Sequence, residues 1–209
     1  MLIQGQVGAP GAQSLTPGTQ PTVRAGQLGD VIVSELHGRY YETSYRKALF
    51  GGCNQAGVTT TAAFATTYTG LVLANPNGSA VNLVLTKVGV SQILAQTTVS
   101  AVGIMVGFST TNLSGSLTAV PVRSKFLGAP AGTGLLYSAV TLPVAPTLDT
   151  VIGSLYTAAT SSIPVVPAFL IDLEGSIIIP PGGYAALYTT TATTASSLIA
   201  SMQWEEVPV

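Results

Sequence analysis

The chain of 209 residues is poor in charge: 7% of its residues are charged, and its formal net charge is −1. About a quarter of the residues in an ordinary soluble domain are charged, so the surface here is unusually neutral and we expect much of it to be buried against other chains. No Lys/Arg cluster is interleaved with aromatic residues and no run of about 18 apolar residues occurs, which argues against nucleic-acid and membrane partners.

The first segment, residues 1–29, is rich in Gly, Gln and Pro and has the period of neither a strand nor a helix. Such termini seldom become ordered unless contacts with other segments hold them in place. The alternatives are therefore a disordered tail and an arm that becomes ordered on a neighbouring subunit. We predict an extended N-terminal arm. Its start, Met1–Gly5, lacks the basic and apolar regions of a secretory signal, so we expect the chain to fold where it is made.

Residues 30–50 differ from the arm because they are richer in charge and in apolar side chains. Val31 and Val33 begin with the alternation of a strand, whereas the apolar residues after them could also line a helix face that ends at the Gly-Gly pair 51–52. We predict an extended strand pair for this segment.

The clearest unit further along the chain is residues 70–88, in which two apolar runs flank Asn75–Ser79. The proline of this turn presets a φ angle and the Asn-Gly pair supplies a positive one, so we predict two antiparallel strands joined by a tight loop. A strand at 99–109, a polar excursion at 110–135 and a strand at 135–142 follow, and prolines break up the region beyond.

The C-terminal third is the most regular part of the sequence. Short apolar runs at 168–173 and 175–179 precede Pro180–Gly183. This segment is a predicted turn, because two prolines with a fixed φ angle are followed by two glycines that accept a positive φ angle. Strands are predicted again at 184–189 and 198–206.

Val, Ile and Thr side chains suit a pleated sheet and lose rotamer freedom in a helix. Their abundance, with at least eight short strands separated by turns at near-regular spacing, indicates an all-β fold. We predict two parts: an extended N-terminal arm at 1–29 and a jelly-roll-like antiparallel β-sandwich at 30–209.

Groups that could polarise a substrate are scarce. His37 is the only histidine, which excludes a metal site built from several histidines of one chain, and no Gly-x-Ser-x-Gly elbow is present. Cys53 has no partner for an internal disulfide, and the glycine-rich segment 128–134 lacks the lysine of a phosphate-binding loop. We therefore expect no catalytic site and no cofactor.

Two weaker candidates remain. Asp172 and Glu174 would share one face of a strand and could suit a calcium ion or a glycosidase pair, although solvated turn residues are the favoured interpretation. Trp204 could stack on a sugar, although a core position is favoured. Glu205 and Glu206 are interpreted as interface or surface charges.

Three passages carry a resemblance: His37–Glu42, Leu73–Ser79, and Leu173–Tyr184 with the closing Gln203–Glu206. Together they resemble virion proteins of tailed bacteriophages, in particular the jelly-roll cement or decoration proteins on the outside of the capsid. The resemblance covers most of residues 30–209 and consists of turn and strand signatures.

This resemblance implies a non-enzymatic structural protein that forms a homo-oligomer, a trimer or a dimer. It implies binding across junctions between major capsid protein subunits, which stabilises the shell, and a place on the outer capsid surface of the virion after synthesis in the host cytoplasm. The alternative function is a receptor- or carbohydrate-binding module of a phage fibre or tail. A metal-dependent or glycosidic enzyme on a cupin-like fold is the third hypothesis.

Seven of the chain's charged residues lie between Arg24 and Lys47, in contrast to the long neutral stretches elsewhere. Charged groups at an interface set its register and choice of partner, so we predict the partner interface here. The predicted interface residues are Arg24, Glu35, His37, Arg39, Tyr40, Tyr41, Glu42, Arg46 and Lys47.

Overall fold

The structure is a computed structural model. It describes residues 38–155 and 168–209, together with the backbone of two short strands nearer the N-terminus. The predicted strand at Val31 and Val33 therefore lies outside the described residues.

The chain forms two compact units, Met1–Arg39 and Tyr40–Val209. In the first unit, β1 (Gly5–Val7) and β2 (Val23–Ala25) pair in parallel. The second unit begins with one short helix, α1, and its described residues continue with eleven strands.

The bounds of these elements are α1 (Tyr41–Tyr45), β3 (Leu49–Cys53), β4 (Thr67–Ala74), β5 (Val81–Gln92), β6 (Ser100–Phe108), β7 (Ala119–Val120), β8 (Arg123–Ser124), β9 (Leu135–Thr141), β10 (Thr147–Leu155), β11 (Ala168–Ile179), β12 (Gly183–Thr189) and β13 (Leu198–Pro208).

The strands of the second unit form two sheets in a sandwich-like arrangement. The six-stranded sheet has the order β10-β6-β12-β4-β9-β7, and the five-stranded sheet has the order β11-β5-β13-β3-β8. Every pairing within them is antiparallel. The predicted all-β, antiparallel sandwich is confirmed, while its jelly-roll connectivity stays a prediction.

The main core lies between the two sheets. Successive strand residues point to opposite faces, and β13 shows the consequence: Leu198, Ala200, Met202 and Trp204 are buried, while the residues between them are partly exposed. The Trp204 ring packs against Phe50 of β3, with ring centroids 6.4 Å apart. The predicted core position of Trp204 is confirmed.

A second apolar cluster covers the outer face of the six-stranded sheet. It includes Tyr68, Val72, Met105 and Tyr184, so the central strands are buried on both faces. This explains why the apolar run at the end of β4 is continuous rather than alternating. Burial raises the pKa of the Tyr68 phenol far above its usual range, even though its hydroxyl donates to the Leu187 carbonyl oxygen.

The predicted hairpin over residues 70–88 is wrong in its pairing. Its strands and turn exist, and Gly78 has a φ of 83°, but β4 and β5 belong to different sheets. The Asn75 amide donates to the carbonyl oxygens of Val81 at 2.8 Å and Ile179 at 2.9 Å, which fixes the crossing between the sheets. Both strands bury one face in the shared core, so the local pattern is the same for a hairpin and for this crossing.

The predicted strand pair over 30–50 is also wrong for the residues that the structure describes. A turn, α1 and the start of β3 occupy 38–50. The Gly-Gly pair lies inside β3 rather than at a helix end. A Cβ at Gly52 would come 2.4 Å from the Pro121 carbonyl oxygen. Close packing of backbone therefore demands glycine here.

The remaining strand predictions hold. The strands predicted at 99–109, 135–142 and 198–206 are confirmed by β6, β9 and β13. The turn at Pro180–Gly183 is confirmed, with the Gly183 N–H donating to the Pro180 carbonyl oxygen at 2.8 Å. The runs at 168–173 and 175–179 form one strand, β11, with a shift of register between them.

Candidate interaction surfaces

Charge is divided unequally between the two sheets. The six strands of the six-stranded sheet, all of them described, contain one charged residue, Asp149 on β10. All other charged residues of the second unit lie on the five-stranded sheet, on α1 or directly beside them. The six-stranded sheet is therefore the nearly uncharged side of the sandwich.

An aromatic pair on α1 continues into the segment after β8. The Tyr41 and Tyr45 rings stack with centroids 6.0 Å apart, and the Tyr45 ring meets the Phe126 ring edge-on at 6.4 Å. The Lys47 ammonium group lies 5.5 Å from the Phe126 ring centroid, within the range of a cation–π contact. We call this surface, with its neighbours, the basic patch. Its members are Tyr41, Tyr45, Arg46, Lys47, Arg123, Lys125, Phe126 and Leu127.

The pairing of β3 with β8 assembles the basic patch. Arg123 lies opposite Gly51, and the Lys125 N–H donates to the Leu49 carbonyl oxygen at 2.8 Å. A Cβ at Gly51 would lie 2.9 Å from the Lys125 ammonium nitrogen, so the lysine crosses the outer face of β3. In the described ranges, the side chains of Arg123 and Lys125 have no hydrogen-bond or ion-pair partner.

Glu42 and Arg46 form an ion pair one helical turn apart on α1, with 2.8 Å between Arg46 Nε and Glu42 Oε1. Both side chains are mostly exposed. Exposed pairs of this kind contribute about 0.3–0.5 kcal/mol. The pair therefore remains available to exchange partners at an interface.

Tyr40 has a different role from its neighbours. Its phenolic hydroxyl lies 2.7 and 2.8 Å from the two carboxylate oxygens of Asp172 on β11. The Lys87 ammonium group of β5 sits 4.7 Å from the Tyr40 ring centroid and 3.9 Å from Asp172 Oδ2. This three-residue anchor fixes the start of α1 on the five-stranded sheet.

The predicted interface residues therefore divide into several groups. Arg24 lies in β2, where only the backbone is described, and Glu35 and His37 lie outside the described residues. Arg39 is exposed at the end of the first unit. Tyr40 belongs to the anchor, and the structure places Tyr41, Glu42, Arg46 and Lys47 on or beside the basic patch.

Sequence reasoning missed five of the eight residues of the basic patch: Tyr45 on α1 and four residues after it in the chain. Arg123, Lys125, Phe126 and Leu127 lie far along the chain from α1 and join it only through the pairing of β8 with β3. One signal was present: Arg123 and Lys125 are the only charged residues between Lys87 and Asp149.

Asp172 and Glu174 are both exposed on either side of the buried Leu173, but they lie at a bulge in β11 rather than in a regular strand. Glu174 has a φ of 52°, and its N–H donates to Asp172 Oδ1 at 3.0 Å. Asp172 thus closes a bulge and holds Tyr40. Among the described residues, no three His, Cys, Asp or Glu side chains are close enough to share a metal ion.

Glu206 has a structural role at the end of β13. Its Oε1 accepts the Gly134 N–H at 2.8 Å and the Trp204 indole N–H at 3.3 Å. The Trp204 side chain is fully buried. It therefore presents no ring face on which a sugar could stack.

A second surface lies on the side of the sandwich where β10 and β11 end their sheets. A cavity of about 440 Å³ opens between these two strands, with Asp149, Ile178 and Tyr184 among its lining residues. We call this surface the acidic edge. Its members are Leu148, Asp149, Val151, Leu170, Asp172, Glu174 and Ile178.

Comparison with protein-family models, with curated proteins and with solved structures found no match. Within the described residues, no helix has the length and apolar character needed to cross a bilayer.

Proposed function

We propose that this chain is a structural protein that acts by assembling with other protein chains, as a capsid cement or decoration protein of a tailed bacteriophage. The supporting observation is a neutral sandwich that exposes large apolar side chains. The exposed fraction is 84% for Leu127 and 74% for Leu170. Exposed apolar surface beside polar residues is typical of protein–protein contact sites.

The low charge of the sandwich supports the same proposal. Burying an unpaired charge at an interface is costly, whereas burying Ser, Thr and apolar side chains costs little desolvation. The six-stranded sheet, with Asp149 as its one charged residue, is therefore well suited to broad contact with a capsid shell.

In this proposal the protein binds across junctions between major capsid protein subunits, forms a homo-oligomer and stabilises the shell from its outer surface. The resemblance of the three sequence passages to phage cement proteins supports this location. For the homo-oligomer, the basic patch supplies aromatic anchors and charged groups of the kinds that dominate binding energy and partner choice.

The alternative function, a receptor- or carbohydrate-binding module, gains no support from Trp204, because its indole is fully buried. Sugar binding would require another aromatic platform.

Co-sedimentation with empty capsids of the encoding phage tests the proposed function. We expect the purified protein to sediment with the capsids, and Leu135→Asp, which changes an exposed leucine of β9 in the six-stranded sheet, to weaken this binding. Leu94→Asp changes another exposed leucine, in the connection between β5 and β6, and is the matched control that should bind normally. A protein that stays monomeric and fails to bind capsids would contradict the proposal.

A further inference from the structure

We propose that copies of this chain associate head to tail, with the basic patch of one copy against the acidic edge of the next. This contact rests on the proposed assembly function and goes beyond it, because it names the two surfaces and the partner. The partner is a second copy of this chain.

Acids predominate on one side of the sandwich and bases around α1 and β8, although each group includes one opposite charge: Lys87 lies 3.9 Å from Asp172 Oδ2, and Glu42 pairs with Arg46. Asp172 and Glu174 lie on β11, the first strand of that sheet, and Asp149 lies on the adjacent β10. The basic side chains Arg123 and Lys125 lie on or beside β8 at the other end, and Arg46 and Lys47 follow α1, whose start is held at Asp172 by Tyr40. With five strands, the two ends lie about 19 Å apart.

Both surfaces combine charge with exposed apolar side chains. The acidic edge exposes Val151 to 62% and Ile178 to 59%, in addition to Leu170. The basic patch exposes Tyr45, Phe126 and Leu127. An apolar centre with a polar, charged rim is the usual anatomy of a specific interface, and here the two rims have opposite sign.

The strand edges favour contact through side chains over addition of a strand. The register of β10 against β6 is irregular between Leu148 and Thr150 and between Val151 and Gly153. The register of β11 against β5 is irregular between Asp172 and Ile177. Bulges of this kind stop a partner strand from pairing along an edge. At the other end, β8 has two residues and offers little backbone for pairing.

In a head-to-tail contact each copy uses one surface towards the copy before it and the other towards the copy after it. Such contacts close into rings when the rotation between copies allows it, and otherwise continue as filaments. Of the predicted oligomers, a trimer fits a ring of this kind, whereas a two-fold dimer would have to make the contact twice within a single interface.

Charge reversal tests the contact. Lys125→Glu gives the basic patch an acid, and Asp149→Lys gives the acidic edge a base; both side chains are exposed. We expect each single variant to weaken self-association by about tenfold or more, because a like charge replaces an attractive one. The double variant restores opposite signs and should recover association. Thr97→Glu and Thr98→Lys introduce the same acidic and basic side chains in the exposed connection between β5 and β6 and should have no effect.

Sedimentation velocity at increasing NaCl concentration measures the association, and far-ultraviolet circular dichroism with the melting temperature checks that each variant is folded. Arg123→Glu is a second basic-patch variant and should behave like Lys125→Glu. Wild-type association should weaken with salt, because exposed charges are screened.

The head-to-tail contact would be overturned if neither single variant weakened self-association, or if the double variant failed to recover self-association. A monomeric wild type that still binds capsids would also overturn the contact and leave the cement function intact. A wild type that neither associates nor binds capsids would overturn the cement function as well.

Discussion

The phenolic hydroxyl of Tyr40 makes a shared hydrogen bond to both carboxylate oxygens of Asp172, at 2.7 and 2.8 Å, across 132 positions of the sequence. Lys87 lies against both groups. The short helix α1 has no side-chain N-cap, and isolated helices of this length are unstable. The anchor therefore holds one end of α1, and with it the aromatic half of the basic patch.

Tyr40→Phe removes the hydroxyl while keeping the ring over Lys87. We expect the free energy of unfolding to fall by about 1 kcal/mol, the usual contribution of such a hydrogen bond, as measured by urea unfolding. Tyr45→Phe is the matched control, since the Tyr45 hydroxyl has no hydrogen-bond partner among the described residues. Equal stability of the two variants would show that the hydrogen bond from Tyr40 to Asp172 contributes nothing to folding.

Gly52→Ala should destabilise the sandwich. Its Cβ would come 2.4 Å from the Pro121 carbonyl oxygen and 2.6 Å from Leu136 Cδ1, and overpacking of this kind costs about 1–3 kcal/mol. Gly38→Ala, whose Cβ would have open space around it, is the control for thermal unfolding. A Gly52→Ala melting temperature equal to that of Gly38→Ala would contradict the close packing of β3 against Pro121.

Trp204 is the only tryptophan, so its fluorescence reports on one site. We expect blue-shifted emission in the native protein, with little quenching by iodide and none by sugars, because the ring is fully buried. Unfolded protein is the control in which iodide should quench strongly. Quenching of the native protein by a sugar would instead support the carbohydrate-binding alternative.

Stability should fall at alkaline pH. Burial raises the pKa of Tyr184 to about 12, above the usual value of 10.0, and the pKa of Tyr68 is raised as well. The folded state therefore keeps protons that the unfolded state has lost, so the contribution is complete below pH 10 and falls as the pH rises towards 12.

Urea unfolding at pH 9 and pH 11 measures this loss. Tyr184→Phe removes one titrating group, so its stability should fall less between the two pH values than that of the wild type. An identical fall in both proteins would show that Tyr184 does not titrate differently in the folded state.

The strand positions were largely predictable because alternation and turn chemistry are local. Leu198 to Trp204 alternate in the sequence as they do in the sheet, and Asn77-Gly78 forms its turn where expected. Which sheet each strand joins was not predictable, because β4 and β5 bury their faces in one core whether or not they pair with each other.

The interaction surfaces were predictable only in part. The charged segment from Arg24 to Lys47 indicated Lys47, but Phe126 contacts Lys47 and Tyr45 only through the long-range pairing of β8 with β3. Tyr40 lies in the same charged segment and yet is held by Asp172. Composition shows where charge gathers, and only tertiary contacts decide which side chains face outward.

The most direct test of the central claim is a reconstruction of the native particle by electron cryo-microscopy, even at low resolution. The account predicts density for the sandwich on the outer surface of the capsid shell, over junctions between major capsid protein subunits and in rings of copies. Density at a fibre or tail, with a bare shell surface, would contradict it.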